Sequence, residues 1–383
     1  MRHHTSVPAV PSSEHEPAEQ RQPAERSHPA GRSRRATRLL AAAAALAAGS
    51  LALTSCAADA SGPGSDGAAG SGAAGATPVT FALDWAPNTN HIGLYVAEAE
   101  GYFEEAGLDV EILPYGSTPS SQLVSAGEAD FGIGGQSGVQ MARTSGLDVV
   151  SVYRVTQTDT GRLVVLGDRE DLTRPKDLDG LVFGGFGAPL FGALASSTMQ
   201  GDGGTGEFEE VVLDTGAYEA LSQGRIDFTL SVATWEDLQM DIDGHPYRAW
   251  RYQDFGVPEQ QSTGIISSDA YLAEEPEAAA AFVEAVARGY AFAAEQPEEA
   301  AEILIAANPD TLGTAEELVK RSAKLMAEDG YLVSKEREIG AVDPAAWDAF
   351  GEFLFEGGFL TDSEGKPVTE EPDWSEYYTD DLR

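Results

Sequence analysis

Across 383 residues there is one cysteine, Cys56, so no disulfide forms within the chain and no cysteine cluster holds zinc or an iron–sulfur centre. Histidine is almost as scarce. Four of the six histidines fall in the first 55 residues, which leaves His91 and His245 downstream, too few for a multi-histidine metal site. Basic residues are in short supply as well. The first 55 residues hold 7 of the 24 Lys+Arg and 4 of the 63 Asp+Glu, so the rest carries 17 basic against 59 acidic side chains, a formal charge of −42. Nucleic acid is therefore no partner for this body, because affinity for it comes chiefly from Lys and Arg neutralising phosphates. That charge speaks to solubility and a salty or acidic exterior, not to fold. No apolar run is long either: the best, Leu39–Leu53, has 15 residues where a spanning helix needs about 20.

What surrounds that run is informative. Arg32, Arg34, Arg35 and Arg38 precede it and Thr54, Ser55 and Cys56 follow, the basic, apolar and small-residue layout of a secretory signal. Leu53-Thr54-Ser55-Cys56 resembles the bacterial lipobox, which implies lipidation of Cys56 and a protein held on the outer face of the cytoplasmic membrane by its lipid alone. Arg34-Arg35 resembles a twin-arginine signal without the usual following aromatic, so Sec and Tat export both stay open. Residues 1–31 make a long lead and carry the expectation of a later, non-Met start. Residues 56–77 are Gly, Ala and Ser with two aspartates, a flexible tether.

The body is organised around Asp84–Phe103, DWAPNTNHIGLYVAEAEGYF. A β-run, Val79–Leu83, ends here; Pro87 and the asparagines break the pattern, and from Ile92 the apolar residues take helical spacing until Gly101 stops them. In an open α/β sheet a loop leaving the carboxyl end of a strand is where ligands sit. This loop brings Asp84, Trp85, Asn88, Asn90 and His91 together within eight positions. A second strand, Asp109–Leu113, leads to a loop with Tyr115. Thr118 and Pro119 are expected to start a helix that Gly127 closes, and a third strand, Ala129–Ile133, delivers Gln136 and Ser137. Strands alternating with short helices imply a largely parallel sheet.

The pattern S-x-G-x-x-D-F occurs twice, at Ser125–Phe131 and at Ser222–Phe228. Each copy reads as a helix end, a glycine stop and a strand start, so one supersecondary unit serves in each of two lobes. The loop after the second copy, Ala233-Thr234-Trp235-Glu236, then faces the loop of Gln136 and Ser137 across a cleft with aromatic and acidic walls. Strand Leu181–Phe183 runs into Gly184, Gly185, Phe186 and Gly187. The spacing lacks the dinucleotide fingerprint, and close approach of backbone to a small ligand suits it better than a phosphate site. Ser262–Ser267 returns the chain to the first lobe, and helices follow over Pro276–Glu295, over Pro297–Ala307, from a Thr314/Glu317 capping box, and from Asp343-Pro344. The expected boundaries are an export signal at 1–55, a tether at 56–77, a first lobe of 78–167 with 263–383, and a second lobe of 168–262.

These residues resemble a known family. Asp84–Phe103, Gly107-Leu108-Asp109-Val110, Ala126–Phe131 and Asp269-Ala270-Tyr271-Leu272 look like the substrate-binding proteins of ABC importers that take up pyrimidine precursors of thiamine. The resemblance implies an α/β, two-lobed periplasmic-binding-protein fold (type II), each lobe a mainly parallel sheet flanked by helices. It implies no enzyme activity and no cofactor, with permease and ATPase subunits of an importer as partners of a monomer. Family pyrimidine binders hold the ring between aromatics and read its amino group with acid or amide side chains. Trp85, Asn90 and His91 match the first motif, and Trp235-Glu236 matches a later aromatic–Glu pair. Relatives on the same fold bind riboflavin, sulfonates, taurine or nitrate, and a fungal branch makes the pyrimidine itself, for which His91 would supply ring atoms. None of the expected cleft loops carries a Lys or Arg for a sulfonate or nitrate. Asp84 and Glu236 favour an amine-bearing or neutral aromatic ligand, and Trp85 and Trp235 are suited to stack on a flat ring.

Overall fold

The chain from residue 75 onward alternates short β-branched and aromatic runs with glycine stops, and it folds accordingly as strands joined through helices. A computed structural model describes residues 75–383. The export signal, Cys56 and all but the end of the tether lie outside the described residues. Ten strands form two sheets: β1 (Thr77–Ala82), β2 (Leu108–Leu113), β3 (Phe131–Ile133), β4 (Val150–Arg154), β5 (Gly161–Leu166), β6 (Val182–Gly185), β7 (Glu209–Val212), β8 (Phe228–Val232), β9 (Tyr247–Arg251) and β10 (Gly264–Ser267). The first sheet has the order β2-β1-β3-β10-β4, the second β7-β6-β8-β5-β9. Strands β1, β2 and β3 are mutually parallel and β10 runs against them; β6, β7 and β8 are parallel and β5 runs against β8. The two sheets therefore correspond place for place.

The repeated motif has a physical explanation in that correspondence. Gly127 and Gly224 take positive φ, 69° and 65°, the left-handed turn that a side chain would strain. The Asp130 carboxylate then accepts the N–H (2.7 Å) and hydroxyl (2.8 Å) of Thr80 on β1, and Asp227 accepts the Val182 N–H (3.0 Å) on β6. Each aspartate clips the start of a central strand to its parallel neighbour. Phe131 and Phe228 follow, fully buried, one stacked on Phe282 at 4.1 Å and the other against Phe183 at 5.2 Å.

Three expectations need correction. Gly161–Leu166, left in the first lobe by the sequence, pairs with β8 and β9 in the second sheet. Thr118 caps nothing: the helix is Ser120–Ser125 with Pro119 at its cap. The Thr314/Glu317 capping box is absent as well. That helix is Glu316–Glu328 with Ala315 at its cap, because a helical turn at Pro309–Leu312 precedes it and the Ala315 N–H bonds back to Leu312. Asp343 does cap Pro344–Glu356, accepting the Ala346 N–H. Strands β7 and β9 had no sequence signal; β7 is a Glu-Glu-Val-Val edge exposed throughout.

The chain passes between sheets twice, at residues 155–160 and 252–263. The passages bond to each other: Val155 and Thr156 N–H donate to the Thr263 carbonyl, the Thr263 N–H to the Thr156 hydroxyl, and the Asp159 N–H to Glu259. Thr156, Gln157, Asp159, Thr160, Gln260, Gln261 and Thr263 are all buried. Burial of polar residues is offset by hydrogen bonds, and the two segments supply several of these to each other, while the side-chain carbonyl oxygens of Gln157, Gln253 and Gln260 have no partner among the described residues. Asp159 also accepts from Gly161 N–H, Gln253 and Gln260.

The Ile92–Ala99 helix lies on Pro276–Glu295 with backbones in near contact. A Cβ on Gly289 would sit 2.0 Å from the Gly93 carbonyl oxygen, and one on Gly93 would sit 2.4 Å from the Tyr290 ring. Gly138 lies in the first turn of the Gln136–Thr144 helix, in open space. Gly289→Ala is thus expected to destabilise by about 1–3 kcal/mol through overpacking, while Gly138→Ala stabilises by about 0.5–1 kcal/mol. Denaturant unfolding of both variants checks this; equal effects would contradict the packing.

Candidate ligand-binding cleft

The loop after β1 is built by its own polar groups. The Asn88 side chain accepts the Asn90 N–H (2.8 Å) and donates to the Ala86 carbonyl (3.0 Å), so it folds the turn. His91 is fully buried. Its Nδ1 accepts the Asn88 N–H (3.3 Å), which places the proton on Nε2, and Nε2 donates to Asp84 Oδ1 (3.0 Å). The Tyr290 hydroxyl donates to the Asn90 carbonyl (2.6 Å), rising past Gly93. Asn88 and His91 therefore position the loop. The groups it presents are the half-buried Asn90, the exposed Asp84 and Trp85, whose indole is 48% exposed and lies against Tyr115, 47% exposed, at 5.1 Å and 43°. Exposed aromatic rings at strand ends are suited to stack on a planar group.

In the second lobe, Trp235 precedes the helix Glu236–Ile242 and is half-buried against the first lobe's core. Glu236 folds back over the end of β8, where Oε2 accepts the Val232 N–H (3.1 Å). Burial pushes its carboxyl up to about 7, against the lowering by backbone N–H groups and with Asp237 adding to the rise. Phe186 is half-buried and packs on Phe191 (5.7 Å) and Tyr218 (6.0 Å). The Tyr218 phenol is pushed up by burial and by Glu236, Asp237 and Asp214, so it stays a donor. Asp214, at the end of β7, is the only non-glycine with positive φ among the described residues, at 52°.

Gln136 does not belong with these groups. It is fully buried, its Nε2 donates to the Ala346 carbonyl (2.9 Å) and its Oε1 accepts the Gln261 N–H (2.9 Å), so it fixes the second passage between lobes instead of reading a ligand. Ser137 is half-buried in the first turn of Gln136–Thr144. The two recognition loops meet elsewhere. Thr89 Oγ1 lies 2.6 Å from Ser322 Oγ, which donates to the Thr234 carbonyl (2.5 Å); all three residues are buried. Tyr218, Asp237, Tyr290 and Ser322 escaped the sequence reading. Ser322 left a readable trace, as the polar member of the stripe Leu318, Val319, Ser322, Ala323, Met326. Buried cations do lie near the crossings: Arg162 donates to the Asp159 and Gly161 carbonyls and to the Tyr331 hydroxyl, and the fully buried Arg154 donates to the Ile265 carbonyl and lies over the Trp347 ring. Among the described residues no three His, Cys, Asp or Glu gather to hold a metal ion.

Two matched α/β sheets, crossed twice by the chain and meeting at their strand-end loops, define the two-lobed periplasmic-binding-protein fold. Residues 88–300 match the family model described as NMT1/THI5 like, and the chain belongs to that family. It is 31% identical over 279 residues to the formylaminopyrimidine-binding protein of Halalkalibacterium halodurans, covering 70% of this chain and 82% of that protein. A 4-amino-5-hydroxymethyl-2-methylpyrimidine phosphate synthase of Saccharomyces cerevisiae is 36% identical over 75 residues, 19% of this chain and 22% of that one. Among solved structures, the alkanesulfonate-binding protein SsuA of Xanthomonas axonopodis pv. citri bound to MOPS superposes with a TM-score of 0.60 at 13% identity, covering 80% of this chain and all of that one, a likeness of fold.

The raised Glu236 carboxyl makes a pH prediction. A folded-state value above the unfolded one means the native state holds the extra proton, so its stabilising contribution is complete below about 4.5 and is lost as pH rises through about 7. Between pH 5 and pH 8 the ligand-free protein should lose about 5–10 °C more in Tm than Glu236→Gln does. Parallel pH profiles would contradict the assignment.

Proposed function

We propose that the protein is an extracytoplasmic solute-binding protein that captures an aminopyrimidine precursor of thiamine, of the formylaminopyrimidine or hydroxymethylpyrimidine type, and passes it to the membrane subunits of an ABC importer. In this reading Cys56 carries the lipid that holds it on the outer face of the membrane, the first lobe is 78–160 with 263–383, and no catalysis is involved. The observation that carries the proposal is the combination of an exposed aromatic pair, Trp85 on Tyr115, with a desolvated carboxyl at Glu236 beside Trp235. An aminopyrimidine presents a ring nitrogen that accepts next to an amino group that donates. A carboxyl poised near neutral pH complements that edge in either state: protonated, it donates to the ring nitrogen and accepts from the amine; ionised, it accepts from both the amine and a protonated ring nitrogen. The acidic body, and an Arg162 guanidinium already bonded to two carbonyls and the Tyr331 hydroxyl, disfavour a sulfonate.

The fungal relatives named as synthases raise the alternative of pyrimidine synthesis with His91 as a reactant. Its zero exposure and its two intramolecular bonds suit a residue that holds the loop better than one that is consumed.

Thermal unfolding of the full chain carrying Cys56→Ser, against formylaminopyrimidine, hydroxymethylpyrimidine, thiamine, riboflavin and taurine, tests the proposal. Ligand at 100 times its Kd should raise Tm by about 5–10 °C. Formylaminopyrimidine or hydroxymethylpyrimidine should do so, and Trp85→Ala and Glu236→Ala should each abolish the response while the protein still melts cooperatively. Stabilisation by taurine or riboflavin with none by the pyrimidines would overturn it.

A further inference from the structure

The Glu316–Glu328 helix packs on Pro276–Glu295 and Pro297–Ala307 of the first lobe, and it also reaches the Glu236–Ile242 helix of the second. Two of its neighbouring side chains make that reach specific. Ser322, fully buried, stands between the two recognition loops. The hydroxyl has a single proton, and with that proton on the Thr234 carbonyl, Ser322 Oγ must accept from Thr89, which fixes the direction of the relay as Thr89 to Ser322 to Thr234. Thr89 is the residue before Asn90 and His91; Thr234 is the residue before Trp235 and Glu236. Arg321, on the same turn, pairs with Asp241 of the second-lobe helix at 2.6 Å and lies 3.9 Å from Glu317 on its own helix. Tyr331, just beyond the helix, accepts from Arg162 on β5 and takes the Gln157 N–H on its carbonyl.

From this geometry we propose that the helix is a latch between the lobes, in which Ser322 is a positioning residue that holds both recognition loops in register and Arg321–Asp241 is its outer tie. A serine on an otherwise apolar helix face has no packing advantage over alanine, and its burial is compensated only while both loops are in place. When the second lobe swings away, the Thr234 carbonyl and the Asp241 carboxylate leave the helix together. The latch thus favours the arrangement in which both loops address one ligand and reduces what the ligand must supply to close the cleft.

Interlobe distances measure this directly. In the full chain with Cys56→Ser, spin labels at Glu104→Cys in the first lobe and Lys176→Cys in the second, both at exposed positions, report the separation by double electron–electron resonance. Without ligand, the parent should give one dominant short distance. Ser322→Ala should raise the longer-distance fraction about tenfold, and Arg321→Gln, Asp241→Asn and their double variant should share one smaller, non-additive rise. Lengthening in either set sustains the latch, and the surface variants decide alone should Ser322→Ala fail to fold. Unchanged distances in all of them overturn it. A second measurement, affinity for formylaminopyrimidine, rests on the function proposed above: the fold-loss in affinity should equal the fold-loss of the short-distance fraction. Weaker binding with unchanged distances would assign Ser322 to local loop support and overturn the latch. A parent that binds no pyrimidine would reject the ligand assignment and leave the distance result standing.

Discussion

The constraint on which the rest depends is the paired crossing of the chain between two sheets. Residues 155–160 and 252–263 bond repeatedly to each other and to Gln136, Tyr331, Ala341 and Asp343 around them, and they run through a buried environment where unmatched polar groups are costly. Asp159 concentrates that requirement. Its carboxylate takes Gly161, Gln253 and Gln260, while its own N–H goes to Glu259, so one residue ties both passages. Burial pushes the Asp159 and Glu259 carboxyls up, a cost carried by the network around them. With the crossings fixed, the strand ends of the two sheets converge without any covalent link between the recognition loops themselves.

Those loops divide their residues between support and presentation. In the first lobe, Asn88 and His91 turn inward and bond to the backbone and to Asp84, and this frees Trp85 and Asn90 to face outward. In the second, burial raises the Glu236 carboxyl against the lowering by the Val232 N–H, and Trp235 leaves its own lobe to pack on the other. Local polar chemistry thus positions a small number of groups whose own bonding capacity remains open. The same division accounts for Gln136, which the sequence places at a strand end like the others but which the second crossing requires for itself.

What the sequence made legible was whatever depends on neighbours in the chain. The twin S-x-G-x-x-D-F units could be read because glycine turns and strand starts are local, and the strand, loop and helix order of Asp84–Phe103 was visible for the same reason. The Thr118 and Thr314 caps were misread since prolines and a preceding helical turn shift the start by one or two residues. The hinge was read only in part: the return of the chain at Ser262–Ser267 was placed, while Thr156 and Thr263, or Asp159 and Gln260, are about a hundred positions apart and carry no mutual pattern. Strand β5 was assigned to the wrong sheet because the chain crosses before it, through residues that look like any polar loop. Ser322 lay between these cases, its face visible and its partners not.

The central claim is that one loop from each lobe acts on a single ligand. The chain has five tryptophans, and their indole N–H signals separate the lobes: Trp85 in the first loop, Trp235 in the second, the half-buried Trp250 on β9 of the second sheet, and the buried Trp347 and Trp374 as bystanders. In a titration of the nitrogen-15-labelled protein with formylaminopyrimidine, the Trp85 and Trp235 signals should move together and saturate at the same ligand concentration while Trp347 and Trp374 stay in place. Movement of only one of the two, or saturation at different concentrations, would contradict the account.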